Sequence, residues 1–126
     1  MQEISGSASD APGAKTTVLF VDDERELLDV YELLCGPEYE VITASDGTES
    51  LELFGEHIDF AFFDRRMPGL SGDEAIANLR EQGYDTPMGI ISAVDPDVES
   101  DLECDVYLTK PVGLEDIQTT VKQHID

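Results

Sequence analysis

Phe60-Ala61-Phe62-Phe63-Asp64 is a short apolar run that ends in a carboxylate, with Asp59 before it and Met67-Pro68-Gly69 after it. An unbroken apolar run of this length predicts a strand that is buried on both faces, as the strands of a parallel sheet are. The Asp64 carboxylate then lies at the carboxyl end of the strand, and open α/β sheets bind their ligands at that edge. Asp64 is therefore the centre of a candidate site.

Three more strand-like runs end at polar side chains. They are Val18–Val21 before Asp22 and Asp23, Met88–Ile91 before Ser92, and Val106–Thr109 before Lys110 and Pro111. The carboxyl ends of parallel strands lie at the same edge of a sheet. We therefore expect three carboxylates, a hydroxyl and an ammonium to meet in one cleft.

Helix and strand patterns alternate from Thr17 onward, which is typical of a parallel sheet with crossover helices. The remaining strand pattern covers Tyr39–Ala44. The first helix is expected from about Asp23 to Gly36, with Leu27, Leu28, Tyr31 and Leu34 at helical spacing. Further helices are expected from Asp46 to Gly55, around Ala75–Leu79 and around Leu114–Val121. Residues 1–16 are small and polar and predict a flexible tail. Residues 17–126 are then a single domain.

The charge balance is extreme, with 29 acidic against 7 basic residues and a formal net charge of −22. Nucleic acid and anionic membrane surfaces repel such a domain, so neither is an expected direct partner. Self-repulsion on this scale opposes folding unless salt screens it, and at ~1 M salt the Debye length falls to about 3 Å. Adaptation to a salty cytoplasm explains this composition; the alternative is an ordinary acidic protein with a basic partner.

The chain has no apolar run near the roughly 20 residues that span a bilayer. Residues 1–15 do not resemble a signal peptide, because no basic region is followed by an apolar stretch. Cys35 and Cys104 lack metal-ligand spacing and are expected to be reduced thiols. A cytoplasmic location follows as the expectation.

Asp22, Asp23 and Asp64 are hard oxygen ligands, and a cluster of them suits Mg²⁺, with Mn²⁺ as an alternative. Without a cation, such converging carboxylates repel and at least one tends to take up a proton. Each group also has a purely structural interpretation. The aspartate pair could cap a helix, Asp64 could begin a turn, Ser92 could satisfy backbone groups, and Lys110 could be an extended surface lysine.

In this order and at these strand ends, the groups resemble the response-regulator receiver domains of two-component signalling. The motifs that carry the resemblance are Asp22-Asp23, Asp64-Arg65-Arg66-Met67-Pro68-Gly69-Leu70-Ser71-Gly72, Ser92-Ala93 and Lys110-Pro111, over Thr17 to about His124. The resemblance implies a doubly wound, five-stranded parallel sheet of flavodoxin-like order 2-1-3-4-5 with helices on both faces.

The resemblance also implies roles for these residues. Asp64 would be the phosphoacceptor for a histidine kinase or phosphotransfer protein, and Lys110 would pair with a phosphoryl oxygen. Asp22, Asp23, Asp64 and the backbone carbonyl of Arg66 would hold the metal. Ser92 would donate its hydroxyl to the phosphoryl group, and Tyr107 would be the switch aromatic that follows it. The alternative for Tyr107 is ordinary packing at the sheet edge.

The chain departs from the receiver pattern in two places. The segment from Ser92 to Lys110 is about one helical turn short, so the fourth helix is expected to be shortened or unwound. Arg66, two residues past Asp64, is expected to form ion pairs with acidic neighbours and to shield the site from water. It would thereby modulate the phosphoryl lifetime.

Three functions compete. The first is a signalling switch, monomeric or weakly dimeric, that catalyses only its own phosphorylation and dephosphorylation and acts on an unknown output protein or a missing output domain. The second is an aspartate-nucleophile phosphohydrolase, which places a second aspartate two residues after the nucleophile, where this chain has Arg66. The third is a degenerate receiver that only binds proteins. The intact set of polar groups favours the switch.

Overall fold

The structure is a computed structural model, and it describes residues 15–93 and 104–125. Strands and helices alternate along the described chain. They are β1 (Thr17–Val21), α1 (Arg25–Cys35), β2 (Glu40–Ala44), α2 (Gly47–Leu53), β3 (Phe60–Asp64), α3 (Gly72–Glu81), β4 (Met88–Ser92), β5 (Val106–Thr109) and α4 (Leu114–Ile125). Every strand and helix that the sequence predicts within these residues is present.

The five strands form one sheet of order β2-β1-β3-β4-β5, and all of its neighbouring strands are parallel. The predicted doubly wound sheet is thus confirmed, including its strand order. β3 lies at the centre, between β1 and β4. Because the strands are parallel, their carboxyl ends share one edge, and Asp64 lies at the middle of that edge.

Both faces of the sheet are covered, which is why β3 is apolar throughout. All five β3 residues are buried, and alternate side chains point to opposite faces. Ala61 and Phe63 pack on one side with Ile76 and Leu79 of α3, whereas Phe60 and Phe62 pack on the other side with Tyr31 of α1 and Ile117 of α4.

The loop from β3 to α3 is fixed at its far end by a capping box. Ser71 accepts a hydrogen bond from the Glu74 amide, and the Glu74 carboxylate accepts one from the Ser71 amide. Gly72 follows, and a Cβ at that position would collide with the Asp64 carbonyl oxygen. The first turn of α3 therefore lies directly against the end of β3, which keeps the candidate site close to α3.

The apolar face of α1 differs slightly from the prediction. Leu34 is 37% exposed, while Cys35 is completely buried. The buried face is formed by Leu28, Tyr31 and Cys35, at the spacing of one helical stripe. Leu34 was predicted at this face from its helical spacing with Leu27, Leu28 and Tyr31, but the rotation of the helix places the Cys35 thiol inward instead. Both cysteines are free.

Two predictions concern segments that the structure does not describe. The flexible tail, residues 1–16, lies outside the described residues except for Lys15 and Thr16. The shortened or unwound fourth helix falls on residues 94–103, which also lie outside them. Both stay predictions. The described chain resumes at Cys104, and the Lys110–Pro111 peptide bond after β5 is cis.

Candidate functional site

The strand register brings the predicted polar groups to one edge of the sheet. Val21 is level with Phe63, so Asp22 continues β1 beside Asp64 at the end of β3. On the other side, Ser92 ends β4, and its carbonyl accepts a hydrogen bond from the Lys110 amide at 2.7 Å. The sheet therefore aligns residues from four strand ends, as the sequence predicts.

Lys110 points into this cleft. Its Nζ lies 3.1 Å from Asp22 Oδ2 and 3.7 Å from Asp64 Oδ1. A third carboxylate, that of Glu24, lies 3.7 Å from the same Nζ. A lysine that extended into solvent would not approach two buried aspartates, so the surface-lysine alternative does not describe Lys110.

The three aspartates form a compact group of oxygen donors. Asp22, Asp23 and Asp64 each offer one carboxylate oxygen, and these oxygens all lie within 4.8 Å of one another. Asp22 and Asp64 are buried, whereas Asp23 is exposed at the mouth. Such a set of oxygens, open to water on one side, fits Mg²⁺, which keeps several of its waters when bound.

The position of Asp22 is compatible with both roles that the sequence leaves open for the aspartate pair. Its Oδ1 accepts a hydrogen bond from the Glu24 amide at 2.9 Å, just before α1 begins. Its Oδ2 accepts a hydrogen bond from Lys110 Nζ at 3.1 Å, and one of its carboxylate oxygens belongs to the group that it forms with Asp23 and Asp64. A capping-type contact thus orients Asp22 and leaves it within the group of three aspartates.

The charges around Asp64 are not balanced. Burial raises the pKa of the Asp64 carboxyl to about 6, and the charges of Asp22 and Asp23 raise it too, against the opposing effects of Lys110 and of a hydrogen bond from the Arg66 amide. For Lys110, burial lowers the pKa, but the hydrogen bond and charge of Asp22 outweigh it and the pKa is raised. Excess negative charge in a buried pocket is relieved by a bound divalent cation.

We expect the Asp64→Asn variant to be more stable than the native protein at neutral and higher pH when EDTA is present. The folded pKa of Asp64, about 6, lies above the unfolded value near 3.8. The native protein therefore loses about 3 kcal/mol of stability as the pH rises from about 4 through about 6, and the neutral asparagine does not. Denaturant unfolding in concentrated KCl at several pH values measures this difference.

The two proteins should converge below about pH 4, where Asp64 is protonated in the folded and unfolded states. Asp29→Asn, which removes an exposed carboxylate on α1, is the matched control and should show no such pH-dependent difference. If native protein and Asp64→Asn have the same free energy of unfolding at every pH, the buried repulsion is absent.

Ser92 and Tyr107, the two predicted switch residues, lie on the neighbouring strands β4 and β5. Ser92 is 2% exposed at the end of β4. Tyr107 is partly buried against the core cluster on the α3 face of the sheet, and it is level with Ile90. Their predicted switch roles require two states to be compared, so these roles stay predictions. The same holds for the backbone carbonyl of Arg66 as a metal ligand.

The ion pair beside Asp64 is made by Arg65, which the sequence did not single out. Arg65 Nε donates to Asp73 Oδ2 at 3.0 Å, and the Arg65 guanidinium also lies over the Tyr107 ring. Arg66 is exposed, and it forms no ion pair with another residue in the part of the chain that the structure describes. The expected ion pairs of Arg66 are thus not found there, because the side chain that turns toward α3 is the preceding one.

Within residues 15–93 and 104–125, no helix combines the length and the apolar character that a membrane crossing needs. The family model that matches the chain is that of the response regulator receiver domain, and it covers residues 18–122. A candidate transcriptional regulator from Haloferax volcanii is 35% identical over 122 residues. The match covers 93% of this chain but only 21% of that relative. A relative from this organism fits the salt-adapted interpretation of the acidic composition.

Solved structures give the same result. A response regulator from Thermotoga maritima, solved in complex with Mg²⁺ and BeF, is 31% identical with a TM-score of 0.74, over 86% of this chain and 97% of that one. A receiver domain protein from Clostridium thermocellum is 27% identical with a TM-score of 0.76, over 87% of this chain and 94% of that one. With the matched family model, the sheet order and the acidic cleft, these findings show that the chain belongs to the response regulator receiver domains, the phosphoacceptor switches of two-component signalling.

Proposed function

We propose that Asp64 is the phosphoacceptor of this receiver domain and that its donor is the phosphohistidine of a histidine kinase or phosphotransfer protein. The observation that carries the proposal is the position of Lys110, whose Nζ lies between Asp22 Oδ2 at 3.1 Å and Asp64 Oδ1 at 3.7 Å. A cation held at this distance from a buried carboxylate can pair with the oxygens of a phosphoryl group that is bonded to that carboxylate.

The reaction uses the ionised form of Asp64. A carboxylate oxygen of Asp64 attacks the phosphorus, the phosphorus–nitrogen bond of the donor breaks, and the imidazole leaves with the electron pair and takes a proton from water. Although the pKa of Asp64 is raised to about 6, the carboxyl is largely ionised at neutral pH, and nearby positive charge increases the ionised fraction. Lys110 supplies part of that charge.

Asp22, Asp23 and Asp64, with the backbone carbonyl of Arg66, would hold the metal. When bound, Mg²⁺ neutralises the phosphoryl oxygens and orients them for in-line transfer. Asp22 is held in place by the Glu24 amide, and Asp23 lies exposed at the mouth. The exposed position of Asp23 leaves a path by which the cation and the phosphodonor reach the buried carboxylate.

Ser92 and Tyr107 would report the phosphorylation state. Ser92 is buried at the end of the strand next to β3, one residue past the position level with Asp64, and its hydroxyl would donate to a phosphoryl oxygen on Asp64 after a small inward shift. Tyr107 then follows because it belongs to the neighbouring strand, where it packs against the α3 face of the core. Arg66 is exposed beside the site and would modulate the phosphoryl lifetime.

The domain would catalyse only its own phosphorylation and dephosphorylation. A phosphohydrolase of the aspartate-nucleophile class needs an acidic group two residues after the nucleophile, and Arg66 at that position cannot serve as a general acid at ordinary pH. We propose a cytoplasmic domain that acts through protein contacts, as a monomer or weak dimer, without direct contact to nucleic acid or membrane. The formal charge of −22 supports the last point.

Incubation with acetyl phosphate in concentrated KCl, followed by intact-mass measurement, tests this function. The native protein should gain one phosphoryl group in the presence of Mg²⁺ and none in EDTA, because the carboxylates otherwise repel the incoming phosphoryl oxygens. Mn²⁺ should substitute for Mg²⁺. No gain with either metal, from protein that is folded, would contradict the acceptor function and favour a module that only binds proteins.

A further inference from the structure

A single guanidinium connects β5 to α3 beside the candidate site. Arg65 Nε donates to Asp73 Oδ2 at 3.0 Å, and Arg65 Cζ lies 5.9 Å from the centre of the Tyr107 ring. A hydrogen bond with the Tyr107 side chain raises the pKa of Arg65, burial lowers it, and the contact with Asp73 raises it again. Arg65 is thus held from two sides by residues of two different elements.

The contact is well placed for both partners. The Arg65 side chain is 16% exposed and that of Asp73 is 33% exposed, so the pair is screened less than a surface pair. Asp73 lies in the first turn of α3, where the helix dipole favours a negative charge. The distance from Arg65 to the Tyr107 ring is within the range of a cation–π interaction.

Asp73 also has an unused acceptor. Its Oδ1 is buried and has no hydrogen-bond partner in residues 15–93 and 104–125. A buried acceptor without a donor is unfavourable, so a nearby arrangement that supplies a donor competes with the one seen here. A bidentate Arg65–Asp73 pair would supply that donor.

We propose that Arg65 is a positioning residue that latches Tyr107 to the first turn of α3. With Arg65 bound to Asp73 through Nε alone, the ring of Tyr107 is held under the guanidinium. With the pair bidentate, the ring is released. Release of the ring and the change at the start of α3 therefore occur together. The surface that changes with the state of the site then includes the start of α3 as well as β5. The proposal rests on the proposed function only in treating Tyr107 as the switch residue.

The Arg65–Asp73 pair lies at the edge of an open hollow. Arg65 and Asp73 line an open hollow of about 530 Å³, together with Arg66 and Ser71 of the same loop. Two arginines thus line one hollow in a chain that has only 7 basic residues.

The test labels the tyrosines with 3-fluorotyrosine and follows them by fluorine NMR in the unphosphorylated protein. The chain has 4 tyrosines, and Tyr107→Phe assigns the relevant signal. In Arg65→Gln, the Tyr107 signal should move toward that of free fluorotyrosine, because loss of the cation–π contact frees the ring. The change in its chemical shift between H₂O and D₂O should grow about two- to threefold. The other three signals should stay in place.

Matched variants separate a latch from a general structural role. Asp73→Asn should move the Tyr107 signal in the same direction by a smaller amount, because Arg65 then lacks its anchor, and Arg65→Lys should restore it in part. Arg25→Gln, which removes an exposed arginine on α1, should leave it unchanged. An unchanged Tyr107 signal in Arg65→Gln and Asp73→Asn, or equal movement of all four signals, would overturn the proposal.

The acceptor function is measured separately on the same samples. Arg65→Gln should still gain one phosphoryl group from acetyl phosphate and Mg²⁺, while the difference in the Tyr107 signal between the two states shrinks relative to native protein. If native protein gains no phosphoryl group, the proposed function fails, yet the unphosphorylated spectra still decide whether Arg65 positions Tyr107.

Discussion

The Asp64→Asn variant should gain no phosphoryl group from acetyl phosphate and Mg²⁺, while the native protein gains one. Asparagine has nearly the shape of aspartate, but its amide oxygen is not a nucleophile toward phosphorus at neutral pH. Asp64 is 8% exposed at the centre of the sheet edge, and its Oδ1 is 3.7 Å from Lys110 Nζ. The expected effect is complete loss, because the bond that defines the phosphorylated state can no longer form.

The control must separate loss of the acceptor from loss of one negative charge. Asp29→Asn removes an exposed carboxylate on α1, away from the strand ends, and should gain one phosphoryl group as the native protein does. Intact-mass spectra of the three proteins, taken under the same salt and metal concentrations, make the comparison. A phosphoryl group on folded Asp64→Asn would move the acceptor to another residue.

The second large effect is expected for Mg²⁺ binding. Asp23→Asn should weaken Mg²⁺ binding by at least about tenfold, because it removes a charged oxygen donor from the group of three aspartates. Asp23 is the informative position: it is exposed and, unlike Asp22 and Asp64, has no ion pair with Lys110. Its substitution therefore changes the metal site and leaves the contacts of Lys110 in place.

Thermal unfolding at increasing Mg²⁺ concentration in concentrated KCl measures this affinity. Native protein should gain about 2.7 kcal/mol of stability when Mg²⁺ reaches a hundred times its dissociation constant. Asp23→Asn should need correspondingly more Mg²⁺ for the same gain, whereas Glu32→Gln, an exposed substitution on α1, should follow the native curve. Equal curves for native protein and Asp23→Asn would remove Asp23 from the metal site.

Most of the fold could be predicted because local patterns agree with the global arrangement. The apolar run Phe60–Phe63 predicts a strand that is buried on both faces, and β3 is buried throughout at the centre of the sheet. The polar residues after β1, β3, β4 and β5 lie together because parallel strands share one carboxyl edge. The direction of Lys110 follows from the same rule, since it directly continues β5.

The contacts that could not be predicted depend on where side chains point after a strand ends. Arg65 and Arg66 are neighbours in sequence, yet only Arg65 meets Asp73, because the start of α3 packs against the end of β3 at Gly72. That approach is a tertiary contact with no local signal. The burial of Cys35, and not of Leu34, on the inner face of α1 has a similar cause. The rotation of a helix about its axis on a sheet is set by packing.

The pocket also explains how a strongly acidic chain keeps a usable site. Lys110 is one of three lysines in the sequence, and it faces three carboxylates within 3.7 Å. Even so, burial and the neighbouring aspartates raise the pKa of Asp64 to about 6. The site thus retains a surplus of negative charge that favours a divalent cation. Dissolved salt screens this buried charge less than it screens the charges at the protein surface.

The most direct measurement identifies the modified residue in the native protein. Phosphorylated protein is reduced with borohydride, which converts an acyl phosphate of aspartate to homoserine, and the peptides are then sequenced by mass spectrometry. Homoserine at position 64, and only after incubation with phosphodonor and Mg²⁺, is the expected result. Homoserine at position 22 or 23, with Asp64 unchanged, would contradict the assignment of the central strand's carboxylate as the acceptor.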